Sequence, residues 1–187
     1  IVPDNDSLDF GAAGSFSLDA WVRVDGVPTN PSVLVQKRQQ TGPTGYGLSL
    51  EGTSAGANSG KLGFFIQTDN ESAFAGSETT VSIADGQFHH IAGVVDRGTQ
   101  TMSLYLDGVL QQMAGTTVVG DISNTGRFFI GINSLDIIGS SGVPFNGVID
   151  ELEVYNHPLA ASEVRALFQF GSPFGSQPPA GLVSSYR

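Results

Sequence analysis

The chain has 187 residues, of which 14% are charged and 25 are glycine, a profile of strands and tight turns rather than of helices or disorder. Its formal charge of −10, with Lys and Arg together numbering 8, argues against nucleic acid and anionic membrane as natural partners, because phosphates need clustered cations. Cysteine is absent, which excludes disulfides and zinc-thiolate sites, and no apolar run nears the roughly 20 residues that span a bilayer. The length suits one domain around a single core. The opening residue is Ile1, the expectation for a processed or excised piece whose signal peptide would leave no trace.

In chain order, an extended segment with the polar loop Asp4-Asn5-Asp6-Ser7 precedes a clean alternation. Phe16, Leu18, Ala20, Val22 and Val24 fall on one face, and Ser17, Asp19, Trp21 and Arg23 on the other, so the spacing predicts a strand with one core face. Short strands follow at Val33 to Lys37, Tyr46 to Leu50 and Lys61 to Thr68, the last two joined by a long flexible tip from Gly52 to Gly60. Asp69 to Gly76 reads as a polar bend and Thr79 to Ile83 as a strand leading onward. The stretch Asp85 to Leu110 organises the rest as a hairpin: alternation from Phe88 to Val95, a polar turn Asp96-Arg97-Gly98-Thr99, alternation again through Met102, Leu104 and Leu106, then a reversal at Asp107-Gly108. Val109 to Thr117 continues extended, and strands are predicted at Phe128 to Ile132 and Gly147 to Tyr155. One helix is predicted, capped by Ser162, with Val164, Leu167 and Phe168 as its apolar stripe and a stop by Gly171. A Pro/Gly/Ser linker from Pro173 leads to a terminal strand over Gly181 to Arg187. Many short strands, one short C-terminal helix and no βαβ rhythm predict an all-β antiparallel β-sandwich, a jelly roll.

Four ordered segments carry a family resemblance: Phe16-Ser17-Leu18-Asp19-Ala20-Trp21-Val22, Gly86-Gln87-Phe88-His89-His90-Ile91-Ala92, Leu104-Tyr105-Leu106-Asp107-Gly108, and Phe145-Asn146-Gly147-Val148-Ile149-Asp150-Glu151-Leu152-Glu153-Val154-Tyr155-Asn156. Together they resemble laminin-G-like, concanavalin A-like β-sandwich domains over 1–172. The resemblance implies non-catalytic modules of secreted or cell-surface proteins that bind glycans or proteins, often with calcium at the sandwich edge. Such domains usually open with a strand ahead of the segment present here, while Gly181-Leu182-Val183-Ser184-Ser185-Tyr186 is similar to that opening strand. Either the chain is cut from a tandem array, or the strand carrying Leu182, Val183 and Tyr186 fills the gap in its own sandwich or in a neighbouring copy, and exchange between copies would build a filament.

Candidate chemistry is sparse. Asp4, Asp6 and Asp9, with Asn5, crowd hard oxygen ligands into one loop and read either as a calcium site or as a solvated acidic turn. Asp69-Asn70-Glu71 carries a similar, weaker claim. Trp21, flanked by Asp19 and Arg23, is either a sugar-stacking platform on an open face or a second core anchor, and Phe74, Phe145 and Tyr46 are lesser loop candidates. His89 and His90 point to opposite faces and cannot readily share a metal; His90 is expected to bond a carboxylate such as Asp19 or Glu151. Asp150-Glu151 likewise splits across two faces, and a glycosidase would need two carboxylates opposed across a cleft. No nucleophile elbow or phosphate-binding loop is present. The sequence therefore predicts a recognition or adhesion module with glycan as first-choice ligand and no enzymatic role. A structural subunit assembled through its terminal strand is the alternative.

Overall fold

The alternation of apolar residues from Phe16 onward builds strand β1 (Phe16–Val24), whose Phe16, Leu18, Ala20, Val22 and Val24 are all buried. The computed structural model describes residues 1–39, 42–68, 74–116, 119–132, 144–170 and 182–186. The further strands are β2 (Ser32–Arg38), β3 (Gly45–Leu50), β4 (Lys61–Gln67), β5 (Phe74–Ser82), β6 (Phe88–Asp96), β7 (Thr101–Leu106), β8 (Val109–Gly115), β9 (Phe128–Ile130), β10 (Gly147–Tyr155) and β11 (Leu182–Tyr186). They form two antiparallel sheets, in the orders β11-β10-β1-β6-β7-β8 and β5-β4-β3-β2-β9. This is the predicted jelly-roll sandwich.

The sheets bury one contiguous core. Phe10 stacks on Phe16 with ring centroids 4.4 Å apart, and Phe16 meets Tyr46 at 4.8 Å. At the centre a glycine is required: a Cβ on Gly93 would lie 2.8 Å from the Phe64 ring of the opposite sheet. The predicted hairpin is a three-stranded meander, because the reversal at Asp107 (φ 50) and Gly108 (φ 73) feeds β8. Two positive φ values in succession make the primed turn whose twist matches the flanking strands.

Several boundaries differ from the sequence reading. β5 begins at Phe74, inside the segment expected to be a polar bend, because β4 supplies a pairing partner down to Gln67↔Phe74. The expected flexible tip holds two short 3-10 turns within Thr53–Asn58, kinked at Gly56 (φ 61) and anchored where Thr53 N and Ser54 N donate to Pro28 O and Thr29 O at 2.8 and 2.9 Å. Helix α1 (Ala161–Phe170) is not capped by Ser162; Ala160 N donates to Glu163 Oε2 at 2.7 Å, and the Ala160 carbonyl accepts the first helical bonds. A carboxylate reaching back to the start of the first turn satisfies an otherwise unpaired donor. The expected stop at Gly171 and the linker from Pro173 lie outside the described residues.

Helix α1 lies on the outer face of the six-stranded sheet. Val164 and Leu167 pack with Leu159 on Ala92, Val94, Tyr105 and Tyr155, a second apolar cluster. Ser17 staples the approach: Leu159 N donates to its Oγ (2.9 Å), which donates to His157 O (3.0 Å). At one rim of the sandwich β5 and β8 face each other as sheet edges. Glu78 N donates to Gln112 Oε1 at 2.7 Å, and Thr80 N and Oγ1 donate to Gln111 Oε1 at 3.3 and 2.7 Å, so side-chain amides close this rim.

Candidate functional site

The polar face of β1 does not present an open platform. Trp21 is half-buried, stacks on Phe168 of α1 (centroids 5.9 Å, 28°) and meets the His90 ring edge-on at 5.4 Å. Asp19 is buried, with Oδ2 3.1 Å from His90 Nε2, the pairing expected for that histidine. Burial pushes the Asp19 carboxyl up to about 6, against the lowering pull of His90. Tyr155, whose hydroxyl donates to Glu153, is raised by burial and by the Asp19 and Glu153 charges. Arg23 turns away from Asp19, bonds Asp25 at 2.8 Å and sits 5.2 Å over the Phe88 ring. Trp21, Asp19 and Arg23 thus share a strand face, on which Phe168 of α1, a helix the sequence does not place in space, packs against Trp21.

Asp4 and Asp9 converge, as their crowding suggested, but on an internal cation. The fully buried Lys37 Nζ lies 2.6 Å from Asp4 Oδ1 and 3.2 Å from Asp9 Oδ1, and donates to the carbonyls of Asn124 (2.7 Å) and Gly126 (3.1 Å). Four oxygens around one ammonium compensate its desolvation. Asp6 stands apart in a 3-10 turn, Asp6–Leu8. Among the described residues no group of three or more His, Cys, Asp or Glu is disposed to hold a metal. Asp69-Asn70-Glu71 and the Phe74 side chain lie outside the described residues. Tyr46, expected on a loop, is core, with its hydroxyl donating to Leu8 O at 2.9 Å. Phe145 is half-buried against the core. The Asp150 carboxylate accepts Glu151 N at 2.9 Å. The backbone of Leu182, Val183 and Tyr186 lies in β11, which pairs with β10 of the same chain through Leu152↔Tyr186 and Tyr155↔Leu182.

The site that sequence reasoning missed is a groove of about 400 Å³ on the outer face of the five-stranded sheet, lined by Ser49, Glu51, Gly63, Phe65, Glu78 and Gln112. Core residues Leu48, Leu50, Leu62, Phe64 and Ile66 point inward, so Ser49, Gly63 and Phe65 alternate outward. Cross-strand rows Ser49↔Gly63↔Glu78 and Gly47↔Phe65↔Gly76 form its floor. Glycines keep that floor low: a Cβ on Gly63 would lie 3.1 Å from Ser49 Oγ and 3.8 Å from Glu51 Oε1. Burial, and then the neighbouring Glu78 carboxylate, raise the Glu51 carboxyl above its usual range. The groove therefore offers an aromatic ring, a hydroxyl, an amide and two carboxylates around a flat strip, suited to a polyhydroxylated ligand with one apolar face. Glycines inside strands were the available signal, since they mark close approach or open space.

Comparisons agree with this architecture. The family model described as the concanavalin A-like lectin/glucanases superfamily matches residues 2–165. A putative carbohydrate binding protein from Bacteroides ovatus superposes with a TM-score of 0.73 at 18% identity, over 100% of this chain and 48% of that one. The binding domain of Paraclostridial Mosquitocidal Protein 1 superposes at 0.69 with 19% identity, over 89% and 39%. The IT-sialidase CBM40 of Ruminococcus gnavus, bound to α2,3-sialyllactose, superposes at 0.67 with 14% identity, over 90% and 94%. The chain spans less than half the length of the first two of these structures. No curated protein sequence matches it significantly.

Proposed function

Because the chain belongs to the concanavalin A-like lectin/glucanases superfamily, we propose that it is a non-catalytic carbohydrate-recognition module of a secreted or cell-surface protein, and that its ligand lies in the groove between Ser49 and Gln112. The observation that carries this reading is the groove's lining: a Phe65 ring beside a glycine floor, ringed by hydroxyl, amide and carboxylate groups. The names of two similar structures, a putative carbohydrate binding protein and a sialidase module bound to a sialylated sugar, support the ligand class. Phe65 supplies the stacking surface and Ser49 and Gln112 the hydroxyl partners.

The test is a glycan array followed by NMR titration of the hits. Binding is expected to perturb Gly63, Phe65 and Gln112, and Phe65→Ala is expected to weaken it by at least about tenfold, or about 1.4 kcal/mol. Perturbations confined to other faces, or a protein ligand with no glycan hit, would overturn the assignment. The two carboxylates in one groove also invite a check for hydrolysis. Incubation with the array hits is expected to release no reducing ends.

A further inference from the structure

Among the described residues, the groove carries negative charge with no compensating cation. Among the described residues no ion pair includes Glu51 or Glu78; Lys61, the basic residue next along β4, donates its Nζ to Asn58 Oδ1 at 3.0 Å instead. The Glu51 carboxylate reaches over Gly63, whose cross-strand partner is Glu78, and burial and then the Glu78 charge make the Glu51 carboxyl harder to ionise. Gln112 uses its Oε1 on Glu78 N and so has its Nε2 donors left for the groove. Ionised carboxylates accept hydrogen bonds and donate none, so the partner that suits Glu51 and Glu78 together is a donor, and a charged one.

We propose that Glu51 and Glu78 make the groove selective for saccharides bearing a free primary amine, and unfavourable to acidic sugars. The inference rests on the carbohydrate reading above. A glucosamine-type ammonium above Gly63 would donate charge-assisted hydrogen bonds to both carboxylates. Its ring would lie on the glycine floor against Phe65, where the aromatic face adds attraction for a cation. A sialic or uronic carboxylate at the same place would meet two like charges, which is discrimination by repulsion. N-acetylation removes the ammonium and leaves the carboxylates uncompensated.

The experiment is calorimetric titration of the purified chain at pH 6 and low salt with three probes: the free-amine glucosamine trisaccharide, its fully N-acetylated counterpart and sialyllactose. The free-amine trimer is expected to bind at least about tenfold tighter than the acetylated one, to weaken as salt is raised, and sialyllactose to give no heat. Glu51→Gln and Glu78→Gln are each expected to erase most of that preference, with the melting temperature recorded as a check on folding. Equal affinity for the two trimers, or a preference that survives both variants, would overturn the proposal. In that event, neutral oligosaccharides that still perturb Phe65 and Gln112 leave the carbohydrate reading standing; if no saccharide binds at all, both fall together.

Discussion

Asp19 Oδ2 lies 3.1 Å from His90 Nε2 beneath helix α1, while His90 Nδ1 is buried with no partner among the described residues. A carboxylate in this position is held at a cost, and the cost depends on pH. Its folded pKa, about 6, stands above the ordinary 3.8, so the folded state binds the proton more tightly. Stability from this group is full below the unfolded value and declines as pH rises through about 6. Wild type is expected to lose on the order of 2–3 kcal/mol relative to Asp19→Asn between pH 4 and 7, at 1.36 kcal/mol per unit. Urea midpoints of both proteins across that range check this, and parallel curves would refute it.

His89 adds a smaller trend in the same direction. Burial alone would lower its pKa, but Asp107 at 2.8 Å and Asp85 at 3.2 Å outweigh that and raise it. The stability it contributes is present below its unfolded value and lost as pH rises through the folded one. His89 titration followed by NMR is expected to move down in Asp107→Asn.

Lys37 is a costly polar residue to remove, because it is fully buried among four oxygens. Replacing it by Met leaves the Asp4 and Asp9 carboxylates without their ammonium and two carbonyls without a donor, and is expected to cost about 3–5 kcal/mol, read by chemical denaturation. Asp4→Asn should cost less, since Asp4 is 33% exposed. Because Lys37 already engages these carboxylates, added calcium or chelator is expected to leave the wild-type melting temperature unchanged. A calcium-dependent rise would place a metal here after all.

Trp21→Ala is expected to destabilise by about 2 kcal/mol, through loss of its stacking on Phe168 and its edge contact with His90, while leaving groove ligands bound with unchanged affinity. Loss of binding without loss of stability would restore Trp21 as a ligand platform.

Much of the sandwich was legible because burial imposes period two on each strand. Phe16 through Val24 and the Asp107-Gly108 reversal could be read locally. The contacts that decide function could not. The acidic loop at Asp4 to Asp9 was visible, but its cation sits 33 residues beyond Asp4, brought there by β2. Glu51 and Glu78 meet only through the register of β4, and their intermediary, Gly63, has no side chain to announce it. Whether Trp21 stands open or serves as a core anchor could not be decided, because periodicity reports which face a residue takes, not what later covers that face.

Deleting 171–187 removes β11 and leaves the β10 edge bare. The full chain is expected to be monomeric by light scattering and the truncated chain less stable and prone to associate, since an uncovered edge recruits other strands. Concentration-dependent growth of the full chain that disappears on truncation would instead identify a donated strand.

The glutamine-closed rim between β5 and β8 gives the groove wall a hinge that costs little to open. The amides of Glu78 and Thr80 are held by the side chains of Gln112 and Gln111, not by a neighbouring backbone. A rotamer change of either glutamine frees them while every strand ladder stays intact. Their hydrogens should therefore exchange with solvent far faster than those of β4 behind them, on the clock of side-chain rotation rather than of local unfolding. A ligand that engages Gln112 would stop that clock, so slowed exchange at Glu78 would report occupancy of the groove from the backbone beside it.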